Sequence, residues 1–410
     1  MKKHLTTLFS MTAALAAYAA YDVAAVVWPA YHPEPRWREL GIFGHGNGEW
    51  QNVYEAVPKF EGHNQPLVPL WGYEKENDPI AVARKIDAAL AAGVNVFMYD
   101  WYWYGGRPFL EGALNDGFLK APNNERMKFF IMWANHDVDS LWNNKVHGMK
   151  KLETVWSADV SPDEFKSVLV PRFIEYFKKA NYYKIDGKPV FAMYLMRNLI
   201  RGMGGAENAK EALDYFRAEC KKAGFAGLHL MSLTAGNRNV PIAGNATPEP
   251  DEAAKYYGYD SMSTYNWTGS MKGDYKTWRD TAMPKWNVYK KEVGTFFPIV
   301  STGWDNNPRW PREKTTPLVT GKSPIEYEKS LRMAKEWADK NIPAGMPKLI
   351  LINAWNEWTE GEYLEPDKTY GYEFLNASAG IRRKRPSERI AFAKNCGCRM
   401  KIRRPFFAPI

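Results

Sequence analysis

Along this chain, short apolar runs rich in β-branched and aromatic residues alternate with longer stretches in which apolar positions recur every three or four residues. The short runs fall at 23–28, 94–99, 129–133, 190–194, 228–233, 261–265, 297–301 and 349–354. Their length and composition predict strands buried on both faces. The amphipathic stretches between them include 79–92, 161–179, 206–223, 272–291 and 324–341, several opened by Pro or by a Ser or Asp cap. Eight strands alternating with helices predict a parallel sheet, closed most simply into a single (β/α)8 TIM barrel with long βα loops. An open doubly wound sheet is the alternative. No GxGxxG or GxxxxGK[ST] follows any run, so a nucleotide-binding reading lacks its fingerprint.

The two ends differ from this body. Lys2 and Lys3 precede an apolar run from 5 to 20, and Ala17-Tyr18-Ala19 offers the small-x-small pattern of a signal peptidase site. Residues 1–19 are therefore expected to be a signal peptide and the protein to be secreted or periplasmic. After its removal no integral membrane segment is expected. From 381 onward ten Lys/Arg face the single acid Glu388, which accounts for the whole net charge of +9. Residues 1–380, which include the body, 20–376, are thus neutral, and no nucleic-acid partner is expected. Residues 377–410 read as a basic, solvated tail. Three cysteines, two of them in that tail, make neither a disulfide framework nor a zinc set.

In a barrel the chemistry sits where strands end and βα loops begin. The first run leads into Trp28 and then, in a long loop, Glu49-Trp50. The second ends in Asp100-Trp101-Tyr102-Trp103, the third in Trp133-Ala134-Asn135-His136, the seventh in Trp304-Asp305, and the eighth in Trp355-Asn356-Glu357-Trp358-Thr359-Glu360. Aromatic rings offer walls for the C–H face of a sugar, while carboxylates and amides pair with its hydroxyls. Carbohydrate is the ligand this mixture suits. Glu49, Trp50, Asp100, Trp101, Trp103, Trp133, Asn135, His136, Trp304, Asp305, Trp355, Asn356 and Trp358 are the expected substrate-binding residues; Trp71, Trp142 and Trp278 are expected in the core. Glu357 and Glu360, three apart, can face one cavity if the chain turns there, and glycoside cleavage uses two carboxyl groups. His32, His45, His63 and His136 show no i, i+4 pairing and no HExxH, so neither a metal site nor a cofactor is expected. No GxSxG supports a serine hydrolase.

These residues also carry a resemblance. Pro29 with His32-Pro33, Gly48-Glu49-Trp50-Gln51-Asn52-Val53, the segments 59–66 and 186–189, Gly303-Trp304-Asp305-Asn306 and the segment 353–367 together resemble the WbsX-like, glycoside hydrolase family 99-like group, over about residues 22–376. Members carry both glycosyltransferase and hydrolase labels. Asn356 to Gly361 is similar to the Asn-Glu-Trp-x-Glu-Gly segment of family 99, a (β/α)8 endo-α-mannosidase family. That resemblance implies Glu357 as the base that deprotonates the sugar 2-hydroxyl, and Glu360 as the acid on the leaving oxygen, with net retention; direct double displacement by one glutamate is the alternative. The expected function is an exported, monomeric, cofactor-independent glycoside hydrolase. A glycosyltransferase of surface polysaccharide and a non-catalytic carbohydrate-binding barrel are the alternatives.

Overall fold

The computed structural model describes residues 21–138, 142–147 and 154–381. The expected signal peptide, 1–19, and residues 382–410 of the expected tail lie outside the described residues, while 377–379 of that tail finish the helix Glu373–Ala379 instead of being solvated. All eight expected runs form parallel strands: β1 Tyr21–Val27, β2 Val96–Tyr104, β3 Lys128–Trp133, β4 Lys188–Met193, β5 His229–Ser232, β6 Ser261–Met262, β7 Ile299–Ser301 and β8 Lys348–Asn353. Their order is β7-β8-β1-β2-β3-β4-β5-β6. The ring closes where Met262 bridges Phe296, just before β7, with Met262 N donating to Thr295 O at 2.9 Å and Phe297 N to Met262 O at 2.8 Å. The TIM-barrel expectation holds, and the open sheet is set aside.

Helices return the chain between strands: α1 Pro79–Ala91, α2 Val170–Phe177, α3 Ala206–Lys222, α4 Pro250–Tyr257, α5 Tyr275–Ala282, α6 Lys285–Val293, α7 Pro324–Asn341 and α8 Glu373–Ala379. Between β2 and β3 the crossover holds a wide turn, Ala113–Phe118, followed by a 3-10 turn, Asn124–Arg126. Helix starts follow the cap chemistry: Asp78 accepts from Ile80 N, Asp274 from Thr277 N and Ser323 from Glu326 N. In α2 the buried residues Val170, Phe173, Ile174, Tyr176 and Phe177 form one stripe. Phe173 meets Phe191 of β4 with ring centroids 4.7 Å apart, and Phe177 stacks on Phe216 of α3 at 5.8 Å. Each buried Phe contributes roughly 1.5–3 kcal/mol of transfer free energy, and this aromatic layer between sheet and helices is much of the core.

One strand runs further than its pattern suggests. β2 continues through Tyr104 and folds back onto Arg107–Phe109, with Tyr102 opposite Phe109. Strand alternation therefore governs 100–104, sending Asp100 and Tyr102 to the barrel interior and Trp101 and Trp103 to the outer layer. No described helix is long and apolar enough to cross a membrane.

Candidate active site

At the carboxyl ends of the strands lies a cavity of about 350 Å³, lined by Trp28, Asp100, Tyr102, His136, Asp137, Trp142, Tyr194, Tyr265, Trp304, Arg309, Trp310, Glu357 and Glu360 among others. After β8, Asn356-Glu357 pairs antiparallel with Glu362-Tyr363, and Trp358–Glu360 form one 3-10 turn between them. Three residues per turn puts i and i+3 on one side, which is why Glu357 and Glu360 face the same cavity. Gly361 closes the turn at φ +65°, and a Cβ added there would also crowd Asp305, coming within 3.2 Å of its backbone N.

Arg309 organises the acids. Its Nε meets Glu49 Oε1 at 2.6 Å and its Nη2 meets Glu49 Oε2 at 3.2 Å, its Nη1 contacts Glu360, and Glu357 Oε1 lies 3.6 Å from Nη2. Its guanidinium sits 5.5 Å from the Trp28 ring centroid, while Trp28 Nε1 donates to Glu49 Oε2. On the other side Tyr265 Oη lies 2.9 Å from both Asp100 Oδ2 and Glu357 Oε2. One phenol proton cannot serve two carboxylates, so at least one of these acids carries a proton and donates to Tyr265. Burial pushes the Asp100 carboxyl well above its ordinary range. Burial, then the charge of Glu360, does the same to Glu357 against the pull of Arg309, and burial raises Glu360 with Arg309 again opposing. Glu362 is a third acid beside the pair, buried and bonded to Asn266 and Ser301. One carboxylate oxygen from each of Glu357, Glu360 and Glu362 falls within 4.8 Å of the others, a spacing that suits either shared protons or a cation. The sequence reading named no metal ligands and missed Glu362.

Of the expected residues, Asp100, His136, Trp304, Glu357 and Glu360 line the cavity. Glu49 stands behind it, fully buried, and acts through Arg309. The other placements correct the expectation of an aromatic wall built from strand ends. Trp101 turns outward onto Phe173, and its Nε1 donates to Glu111 at 2.7 Å. Trp103 stacks on Trp101 and donates to Glu164; Trp133 stacks on Phe165. Trp355 packs on Phe97, and Trp50 lies between Tyr31 and Trp358. Trp358 stacks on Tyr363 and donates to Glu365. The amides bind backbone instead of ligand: Asn356 bonds both N and O of Trp28, and Asn135 both N and O of Leu195, each at 2.8–2.9 Å. Asp305 holds the loop. His63 and Gln65 each donate to its Oδ2 at 2.8 Å, and against the upward push of burial these bonds and one from Asn307 hold it down at about 2.

The walls are supplied by Trp28, Tyr102, Trp142, Tyr194, Tyr265 and Trp310. Trp142 belongs to the core as expected, packed on Trp37 at 5.6 Å, and also lines the cavity; Trp278 is core against Trp267 at 5.1 Å, and Trp71 lies at the core's edge, bonded to Tyr372. Tyr265 and Trp28 were legible as strand-end residues; Arg309 and Trp310 had no local signal.

The family model described as Glycosyltransferase WbsX matches residues 23–378. An uncharacterized protein WxcX of Xanthomonas campestris pv. campestris (strain B100) is 26% identical over 378 residues, covering 90% of this chain and 50% of that protein. The chain spans about half the length of the curated relatives it matches. Among solved structures, a glycoside hydrolase-like protein superposes with a TM-score of 0.56 at 14% identity, covering 89% of this chain and 95% of the other. The family 99 endo-alpha-mannosidase from Bacteroides thetaiotaomicron gives 0.51 at 14% identity, covering 88% and 96%. At that identity these structures speak for the fold.

Proposed function

The chain belongs to the WbsX family, and from that premise we propose that it is a retaining glycoside hydrolase acting on a complex glycan. The observation that carries this reading is the Glu357/Glu360 pair. Carboxylate oxygens within 4.8 Å sit in an aromatic, partly water-excluded cavity at the carboxyl face of a barrel. Both carboxyl groups face one cavity, as cleavage by an acid and a base acting on the same sugar requires.

In this scheme Glu357 takes the proton of the sugar 2-hydroxyl, whose oxygen displaces the leaving group as Glu360 protonates it. Water activated by Glu360 then opens the 1,2-anhydro sugar, and the proton returns to the 2-oxygen, with net retention. Raised pKa values suit both roles, because an acid must hold its proton at working pH and a base must be strong enough to draw one from a hydroxyl. Tyr265 and Asp100 hold the Glu357 carboxyl in place, and Arg309 fixes its distance from Glu360.

A transferase using a nucleoside-diphosphate sugar fits the lining less well. Asp100, Asp137, Glu357 and Glu360 face it, and the Arg in the lining is engaged by Glu49, so the cavity offers a pyrophosphate no free cation among the described residues. Export through the segment 1–19 belongs to the same proposal and places the protein among extracellular or periplasmic polysaccharides; recovery of the activity from the exported fraction, with the segment removed, tests it.

The direct test is release of reducing sugar from plant, microbial and host polysaccharides by wild type, Glu357→Gln and Glu360→Gln. Turnover by wild type, with at least a thousandfold loss in either variant and unchanged folding by circular dichroism, is expected. Near-wild-type turnover in both variants would sink the assignment.

A further inference from the structure

Beyond the main cavity, on the other side of the loop that carries Arg309, lies a second hollow of about 300 Å³ lined by Glu55, Ala56, Val57, Lys59, Lys145, Asn307, Trp310, Pro311 and Arg312. Trp310 is common to both linings. Among the described residues the two linings differ in kind: the first presents four acids and one engaged Arg, the second Lys59, Lys145 and Arg312 with one acid, Glu55.

The cations of the second hollow differ in how far they are satisfied. Lys59 Nζ is used structurally, donating to Trp310 O at 3.1 Å and to Pro311 O, so that it fixes the loop. Among the described residues, Lys145 Nζ is shielded from solvent yet has no hydrogen-bond partner, and a carboxylate within ion-pair reach, Glu55, stands 4.0 Å away. Trp310 Nε1 is likewise a shielded donor without a partner among them. Arg312 is exposed and forms no ion pair among the described residues. A shielded ammonium without a close acceptor is unfavourable by the desolvation it suffers. Burial accordingly lowers the Lys145 pKa, and that of Lys59. An oxyanion placed between Lys145, Arg312 and the Trp310 indole would relieve this.

We propose that this second hollow is a glycan subsite that takes an anionic substituent, a carboxylate or sulfate, so that the substrate is an acidic polysaccharide whose charged unit lies across Trp310 from the unit held at Glu357 and Glu360. The inference rests on the hydrolase reading for the identity of the ligand as a glycan. The charge pattern also sets the register: among the described residues a charged unit finds no free cation in the main cavity and is drawn to the basic hollow, which fixes which bond meets the carboxyl pair.

The test uses full-length protein with Glu360→Gln, which separates binding from turnover. Binding of oligogalacturonate and chondroitin sulfate fragments is measured by calorimetry against their carboxyl-reduced and desulfated counterparts, with and without Lys145→Ala plus Arg312→Ala. At least one acidic probe should bind tenfold or more tighter than its neutralised counterpart, the difference should shrink as salt rises, and the double substitution should erase it while leaving the neutral counterpart unaffected. Loss on carboxyl reduction assigns a carboxylate, and loss on desulfation a sulfate. If no acidic probe outbinds its counterpart, or if the preference survives the double substitution, the proposal falls. Charge-selective binding without sugar release from the same glycans by wild type would overturn the hydrolase reading alone; turnover indifferent to charge would overturn this subsite alone.

Discussion

Arg309 meets Glu49, Glu357 and Glu360 from one guanidinium, so the two carboxyl groups of the pair sit in unequal settings: Glu360 touches the cation, and Glu357 lies deeper with Tyr265 and Asp100. Leaving-group chemistry reads their roles. An acid is dispensable when the departing group needs no proton, whereas a base that generates the nucleophile is not. With an aryl glycoside of the sugar that wild type releases, Glu360→Ala is expected to retain bond cleavage within about tenfold of wild type while losing the natural glycan, and Glu357→Ala to lose both. The reverse pattern in initial rates would exchange the two roles. The pair was legible because both acids lie in one short motif. Arg309 was not, since it reaches Glu49 across 260 residues of chain, a separation at which no local spacing carries information.

At the level of elements, the strands were legible from apolar runs, but which face of a strand meets the cavity was not. β2 reads VFMYDWYWY and is buried at every position. When both faces are apolar or aromatic, period-two alternation leaves no trace in composition, and neighbouring Trp and Asp residues were given one destination although they point opposite ways. The segment after β8 shows a further dependence between elements. Lys85 of α1 is buried, contacts Glu76 and lies 2.7 Å from Glu365 Oε1, while Glu365 Oε2 accepts from Trp358 Nε1 at 2.8 Å. The first helix thereby anchors the turn that carries Glu357 and Glu360. Burial pushes the Glu76 carboxyl up to about 7 even with Lys85 beside it. Removing the ammonium leaves two buried acids without a cation, a change that typically costs about 3–5 kcal/mol. Lys85→Ala is therefore expected to lower the stability read from urea midpoints by that much, whereas Lys120→Ala, in an exposed pair with Asp116, should shift it by under about 1 kcal/mol. Equal midpoints for the two variants would show that the anchor contributes nothing.

For the whole molecule, the buried titratable groups pull stability in opposite directions with pH. Burial lowers His32 and His229 to about 4. Unfolded histidine binds its proton near 6.5, so between those values the unfolded chain takes up protons the folded one refuses, and stability falls as pH drops from 6.5 toward 4. Asp100, Glu357 and Glu362 work the other way. Burial raises each well above its ordinary range, so the folded protein keeps protons that the unfolded chain releases above about 4–4.5, and stability falls as pH rises from there through the folded values. Glu362 isolates this second effect, because Asn266 and Ser301 hold one of its oxygens and the other has no hydrogen-bond partner among the described residues. Glu362→Gln removes the titration with little change of shape. Its stability relative to wild type should climb between pH 5 and 8, by up to about 1.4 kcal/mol per pH unit, as measured by urea midpoints at fixed ionic strength. A difference that stays flat over that range would mean that Glu362 is already ionised in the folded protein, and that the acid cluster at the end of β8 is held by the charges of Arg309 and of Lys322, whose Nζ donates to Gly361 O at 2.9 Å, instead of by shared protons. In that case the cavity would carry its full negative charge at neutral pH, and the carboxyl pair would have to acquire its catalytic proton only when a glycan displaces water from it.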